Sequence, residues 1–449
     1  MMQRKPYFQR GLARAILGLL AGLGSQGLLA QQAGGDSLLQ EASLPQVIQY
    51  ALKHQPLVQQ SLIDEQITDM TIRSKLADWF PQLNMGYNLQ HNFKVQTAII
   101  GGNPIKLGVD NTSSLQFSLS QRLFDRDVLL ASRTASDVRV AARQNTTSTR
   151  IDVAAGTAKA FYDVLTTEQQ IRVADEDITR LERSLQDASS LYKAGITDKT
   201  DYKRATIALN NARATRQSEQ ALLKAKLEYL KTLIGYPVSA DLRIVYDSLQ
   251  MEREAFADTL QAVDYTQRIE YQILATRRKL LQEDLRYSKW AYLPSLSLLG
   301  AYNFNYQNNA FSKLYNANYP NSYAALSLQF PLFQGGKRRY DIRQSEWELK
   351  RLDWSLSGLQ SSIQAEYAQA MASYKSQLAI YQSVKENLDL AQEVYDVIRL
   401  QYQSGVKAYL EVINAETDLR TAKINYYNTL FQLLSSKIDL EKALGQLHY

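Results

Sequence analysis

Ser295-Leu296-Ser297-Leu298-Leu299-Gly300-Ala301-Tyr302-Asn303-Phe304-Asn305-Tyr306 is the stretch on which the fold turns. Leu296, Leu298, Tyr302, Phe304 and Tyr306 fall on one side of an extended chain, and Ser295, Ser297, Ala301, Asn303 and Asn305 on the other. Alternation of this kind marks a strand, because its successive side chains point to opposite faces. Residues 82–94, 114–123 and 323–332 alternate in the same way, with Leu, Met, Tyr and Phe against Ser, Asn and Gln. The polar set is uncharged. A sheet of this composition suits either a soluble core or a barrel wall with lipid outside and water inside.

Aromatic residues and proline gather where these strands end. Trp79, Phe80 and Pro81 precede one and Trp290 and Pro294 another; Phe124 follows the third, and Pro331 and Phe333 stand at the end of the fourth. Proline breaks a helix but is tolerated at a strand's first residue. Aromatic girdles belong at membrane interfaces.

The strands are bracketed by helical patterns of unusual length. No proline occurs between Asp125 and Pro237, and none after Pro331. Ile171, Ala174, Ile178, Leu181, Leu185, Ala188 and Leu191 form a coiled-coil-like stripe. The pattern predicts long helices at about 125–194 and 337–404. A helix of ~70 residues extends ~105 Å, more than a globular domain holds. Gly195 and Gly405 end them as left-handed caps. Return helices are expected at about 198–234 and 408–444, and shorter helices at about 43–78 and 258–290.

Nearly everything is said twice. Pro81 recurs as Pro294, Phe124 as Phe333, Gly195 as Gly405 and Gly235 as Gly445, each about 210 residues on. A period of that size is too long for a solenoid and implies two copies of one large unit. Residues 31–235 make the first copy, 236–257 a connector and 258–449 the second. If each long helix lies beside two short ones stacked end to end, the connector falls halfway along the rod, in a mixed equatorial region.

Residues 1–30 read as a secretory signal. Arg4, Lys5, Arg10 and Arg14 precede an apolar run from Ala15 to Leu29 that is shorter than the ~20 residues of a membrane span. Without those four cations the net charge of +6 falls to about +2, so no nucleic-acid partner is expected. There is no cysteine, which excludes disulfides, thiolate metal sites and thiol catalysis. His54, His91 and His448 lie far apart, and no phosphate-binding glycine loop is present. No enzyme activity, cofactor or metal is expected.

Four strands cannot close a transmembrane barrel, whose smallest forms have eight, and open edges in lipid leave backbone groups unpaired. The chain must therefore assemble. A dimer would give a barrel filled by side chains; a trimer would give twelve strands and a lumen, which the Ser, Asn and Gln face favours.

This plan resembles the outer-membrane efflux protein family, the TolC-like channels, from about residue 37 to the end. The marks are Leu44-Pro45-Gln46-Val47-Ile48-Gln49-Tyr50-Ala51-Leu52 with His54-Gln55-Pro56, Pro81-Gln82-Leu83 echoed by Pro294-Ser295-Leu296, Pro331-Leu332-Phe333-Gln334-Gly335-Gly336, the two Tyr-x-x-Gly tips, and Val412-Ile413-Asn414-Ala415-Glu416. The resemblance implies an α+β membrane protein. Its fold would be a homotrimer with a 12-stranded transmembrane β-barrel continued by a long α-helical coiled-coil barrel. It implies a passive exit duct through the cell outer membrane, with partners in a periplasmic adaptor and an inner-membrane pump. It also implies a gate at the hairpin tips. Tyr402 and Lys407 match residues that link to an acid of the neighbouring hairpin, here Asp201 with Thr200 beside it. Glu411 and Asn414 match a pair of constriction acids, the second without its charge. The alternatives are a periplasmic coiled-coil adaptor and a structural envelope protein without a pore.

Overall fold

The structure, a computed structural model, describes residues 39, 41–196, 198–245, 248–258 and 261–447; the expected signal at 1–30 and His448 lie outside them. In chain order the elements are β1 (Glu41–Ala42), α1 (Leu44–His54), α2 (Pro56–Ala77), β2 (Gln82–His91), β3 (Thr97–Ile100), β4 (Asn103–Lys106), β5 (Asn111–Phe124), α3 (Arg126–Lys193) and α4 (Lys199–Ile234). There follow β6 (Arg243–Ile244), α5 (Ser248–Glu254), α6 (Ile269–Lys289), β7 (Ser295–Asn308), β8 (Asn321–Gln329), α7 (Lys337–Gln403) and α8 (Tyr409–Leu444). Among the described residues, no helix is long and apolar enough to cross a membrane.

One antiparallel sheet joins the strands in the order β2-β5-β7-β8. Its register keeps the two faces separate across all four strands. Met85 stands opposite Phe117, which stands opposite Tyr302. Gly86, Gln116, Asn303 and Asn321 form a row on the other face. The apolar face is largely uncovered, with Leu83, Met85, Leu326 and Leu328 exposed. β5 and β8 end differently. Arg122 keeps its N–H, so β5 pairs on through a register shift to Phe124. β8 stops at Gln329 ahead of Pro331, which has no N–H to give. Between β2 and β5 the chain makes a second hairpin, β3–β4, turning on Gly101 and Gly102 at φ 62° and 83°. The alternation pattern did not foresee it.

α3 runs 68 residues and α7 runs 67, and the return helices α4 and α8 have 36 each. All four end in the same device. Gly195 N–H donates to Tyr192 O and Ile196 N–H to Leu191 O; Gly405 and Val406, Gly235 and Tyr236, and Gly445 and Gln446 repeat it. The glycines sit at φ 70° to 75°, the left-handed conformation that lets the last carbonyls be satisfied. α3 packs against α2 and α4 on one flank and α6 and α8 on the other, while α7 packs against α6 and α8. Polar links mark the register: Arg139 to Asp69 at 2.8 Å between α3 and α2, and Lys226 to Asp163 at 2.9 Å between α4 and α3.

The short helices depart from the expected spans. The stretch 43–78 is split at Gln55, φ −64° and ψ 123°, with Pro56 opening α2, because the residue before a proline is pushed out of the helical region. The stretch 258–290 becomes helical only at Ile269, after a tight turn at Tyr265–Gln267 and an extended Arg268. Arg268 is held there by the Ala443 carbonyl at 3.0 Å and by Glu270 and Glu366. A helix end meets the chain at both breaks. The end of α4 abuts the first, where a Cβ on Gly235 would lie 2.5 Å from His54 O, and the end of α8 abuts the second, where a Cβ on Gly445 would lie 3.2 Å from Gln267 O. Each long helix is therefore flanked by short helices that meet in a butt joint.

Residues 236–257 wrap this level. β6 pairs in parallel with β1. The Tyr374 hydroxyl donates to Ala255 O at 3.0 Å and accepts from Ala257 N–H at 2.7 Å. Tyr162 donates to Glu254, Tyr426 to Glu252, and Lys385 pairs with Glu252 at 2.6 Å.

Candidate functional site

The two hairpin tips, α3–α4 and α7–α8, lie at the end of the chain's helical part farthest from the sheet. Tight glycine caps fix where each chain reverses. Asp198 caps α4 by accepting from Thr200 N–H at 3.4 Å. Ala188, Ala205, Tyr409 and Val412 are buried together, with Leu185, Ile398, Tyr402 and Ile413 packed around them. Residues from α3, α4, α7 and α8 thus share one small core at the tip.

Tyr402 and Tyr409 pack ring to ring, centroids 5.7 Å apart. Burial, then the charges of Asp187 and Asp201, raises the Tyr402 phenol above its usual range. Burial pushes Tyr409 up to about 12. Both remain neutral at physiological pH. Of the gate candidates, Asp201 thus acts on Tyr402 through its charge. Thr200, Lys407, Glu411 and Asn414 are exposed, and among the described residues none of Lys407, Glu411 or Asp201 forms an ion pair.

The aromatic corners gather at the opposite end. Phe124, Trp290, Pro294 and Pro331 line one cavity at the end of the sheet where Phe124 pairs with Leu296. Trp79, Phe80 and Phe333 are exposed. Cations brace the junction: Arg133 lies 5.1 Å over Trp290 and Arg338 lies 4.9 Å over Tyr292. Arg338 also donates to the Pro331 carbonyl and to Gln334. Such a stack contributes ~0.5–1 kcal/mol at an exposed cation such as Arg133 and about 2 kcal/mol at a buried one such as Arg338.

Sequence reasoning missed a charged cluster just inside the tip. Asp177 on α3 is 2% exposed and pairs with Arg180 at 3.2 Å and Arg420 at 3.4 Å. Glu416 on α8 is 4% exposed, and its Oε2 has no hydrogen-bond partner. Burial, with Asp177 adding to it, pushes Glu416 up to about 7, against the pull of Arg180 and Arg399. The signal was present: Glu416 follows Tyr409 and Val412 and precedes Leu419 on the buried stripe of its helix, where a charge has no place in a plain coiled coil.

The sequence profile of the outer membrane efflux protein family matches residues 47–236 and 270–446. The chain is 21% identical to outer membrane protein TolC of Escherichia coli (strain K12), over 97% of this chain and 87% of that one. It is 20% identical to the probable efflux pump outer membrane protein TtgC of Pseudomonas putida, over 94% and 86%. Among solved structures, its fold is similar to that of CusC, with a TM-score of 0.72 at 18% identity covering 93% of this chain and 95% of that one. It is also similar to the open state of the MtrE outer membrane channel of Neisseria gonorrhoeae, with a TM-score of 0.71 at 19% identity covering 90% and 88%.

Proposed function

The chain belongs to the outer membrane efflux protein family, and from that premise we propose that three copies close into one duct through the outer membrane and into the periplasm. The protein is an outer-membrane efflux channel. The carrying observation is the four-stranded sheet with one apolar face, one Ser, Asn and Gln face, and two open edges, β2 and β8. Edges left open in lipid cost several kcal/mol per unpaired group. Joining β8 of one copy to β2 of the next removes every edge and gives twelve strands. The apolar face then meets lipid, and the polar face lines water. The helical part closes in the same sense, the free flank of α7 meeting α2 and α4 of the neighbouring copy. A soluble periplasmic adaptor or a pore-less envelope protein does not account for the uncovered apolar face.

In this reading transport is passive. An inner-membrane pump supplies the energy and a periplasmic adaptor joins the two. The tips form the gate. Lys407, exposed and without an ion pair among the described residues, has Asp201 and Thr200 of an adjacent hairpin within reach once copies assemble. Three exposed links of ~0–1 kcal/mol each hold a gate that a partner can open. Glu411, repeated three times on one ring, favours cations. The test is single-channel conductance in planar bilayers. Asp201→Ala with Lys407→Ala should raise conductance several-fold; conductance equal to that of the unaltered protein counts against the gate.

A further inference from the structure

The cluster inside the tip pairs one of its two buried acids with arginine and leaves the other without. Asp177 takes both Arg180 and Arg420, and Arg180 also lies 3.9 Å from Glu176. Among the described residues Glu416 makes no ion pair, and one of its oxygens is buried without a hydrogen-bond partner. Every packed element places charge near it: Asp177, Arg180, Arg183 and Asp187 on α3, Arg399 with Tyr395 on α7, Arg204 on α4, and Arg420 with Tyr409 on its own helix. A second buried carboxylate beside Asp177 is costly as an anion and cheap as an acid. A cavity of about 120 Å³ between α3, α7 and α8, lined by Glu416, Ser184 and Tyr402, gives protons a route in.

We propose that Glu416 is the proton-binding element of a latch: the packed tip holds its side chain as a neutral acid, and parting α8 from α3 exposes it to water, where it ionises. This rests on the tips being the part that moves when the channel opens. The sign follows from linkage. An exposed glutamate ionises near 4.5 and the packed one near 7. Below the lower value both states hold the proton, and pH has no effect. Between the two values only the packed state holds it, so rising pH favours parting. Above the upper value the effect is complete, at most on the order of a hundredfold per chain.

The native chain has no cysteine, so a single Ser184→Cys thiol reports on the cavity. Its rate of modification by a maleimide in detergent, divided by that of Ser190→Cys on the exposed surface of α3, corrects for thiol ionisation. The ratio is expected to rise at least tenfold from pH 5 to 7.5, and to stay low and flat once Glu416→Gln is added. A flat ratio with Glu416 present overturns the latch, whatever the variant does. An equal rise with and without Glu416→Gln assigns the proton elsewhere and also overturns it. A ratio that behaves as expected supports the latch, and bilayer conductance across the same pH range then judges the gate separately. Conductance that ignores pH while the ratio moves removes the gate reading and leaves the proton site standing.

Discussion

Gly235 and Gly195 have the same backbone geometry, φ 70° and 72°, and the same helix-ending role, yet they should respond differently to substitution. Around Gly195 an added Cβ meets nothing; at Gly235 it meets the His54 carbonyl at 2.5 Å. Gly195→Ala is expected to cost ~1 kcal/mol, the penalty of a left-handed alanine. Gly235→Ala should cost at least twice that, because two backbones must also separate. Urea titration of the two variants measures the difference; equal midpoints would mean that the butt joint is slack. The capping role of both glycines was legible in the sequence, since a glycine after a long apolar stripe has few other uses. The second role of Gly235 was not, because the backbone it touches lies far away in the chain. Glu416 was visible in the same limited way: its place on the buried stripe could be read, but which arginines reach ion-pair distance of Asp177 and not of Glu416 depends on how four helices pack.

Helices and strands were legible where one physical rule dominates. Proline-free stretches gave α3 and α7, and period-two alternation gave the four long strands. The rule fails where tertiary contact decides. Nothing local forbids a helix through Tyr265–Arg268, but the end of α8 occupies that space and the buried guanidinium of Arg268 donates to its Ala443 carbonyl. The connector 236–257 was expected only as a mixed region, and its fastening by Tyr162, Tyr374 and Tyr426 depends on tyrosines that read as ordinary coiled-coil residues. Tyr374→Phe tests the strap. It deletes a hydroxyl that serves two backbone groups, so a cost of ~1–3 kcal/mol is expected. Faster hydrogen exchange should be confined to residues 248–258, and acceleration spread evenly over α7 would contradict the assignment.

For the whole molecule, the expectation is that one chain is incomplete. Tyr340, Trp347 and Trp354 recur at seven-residue spacing on α7 and are 75%, 56% and 71% exposed. On α2, Ile63, Ile67 and Met70 are exposed on the opposite flank. Burying such rings between copies yields ~1.5–3 kcal/mol per large side chain. Trp347→Glu with Trp354→Glu should therefore leave monomers in sedimentation analysis, with far-ultraviolet circular dichroism unchanged. Trimers in the double variant would place the subunit contact elsewhere.

The paired butt joints have a mechanical consequence. Both stand beside the middle of the long helices, near Asp152 of α3, which holds Lys442, and Glu366 of α7, which holds Arg268. Beyond the strap that Glu252 fastens to Lys385 and Tyr426, the described residues form two antiparallel hairpins. Whole heptads could be removed from or added to α3 with α4 and α7 with α8, and the joints, the strapped belt and the sheet would keep their register. In the proposed duct, the reach toward the inner membrane would thus be adjustable independently of the part set in the outer one, as a telescope lengthens by its free tube while the mount stays put.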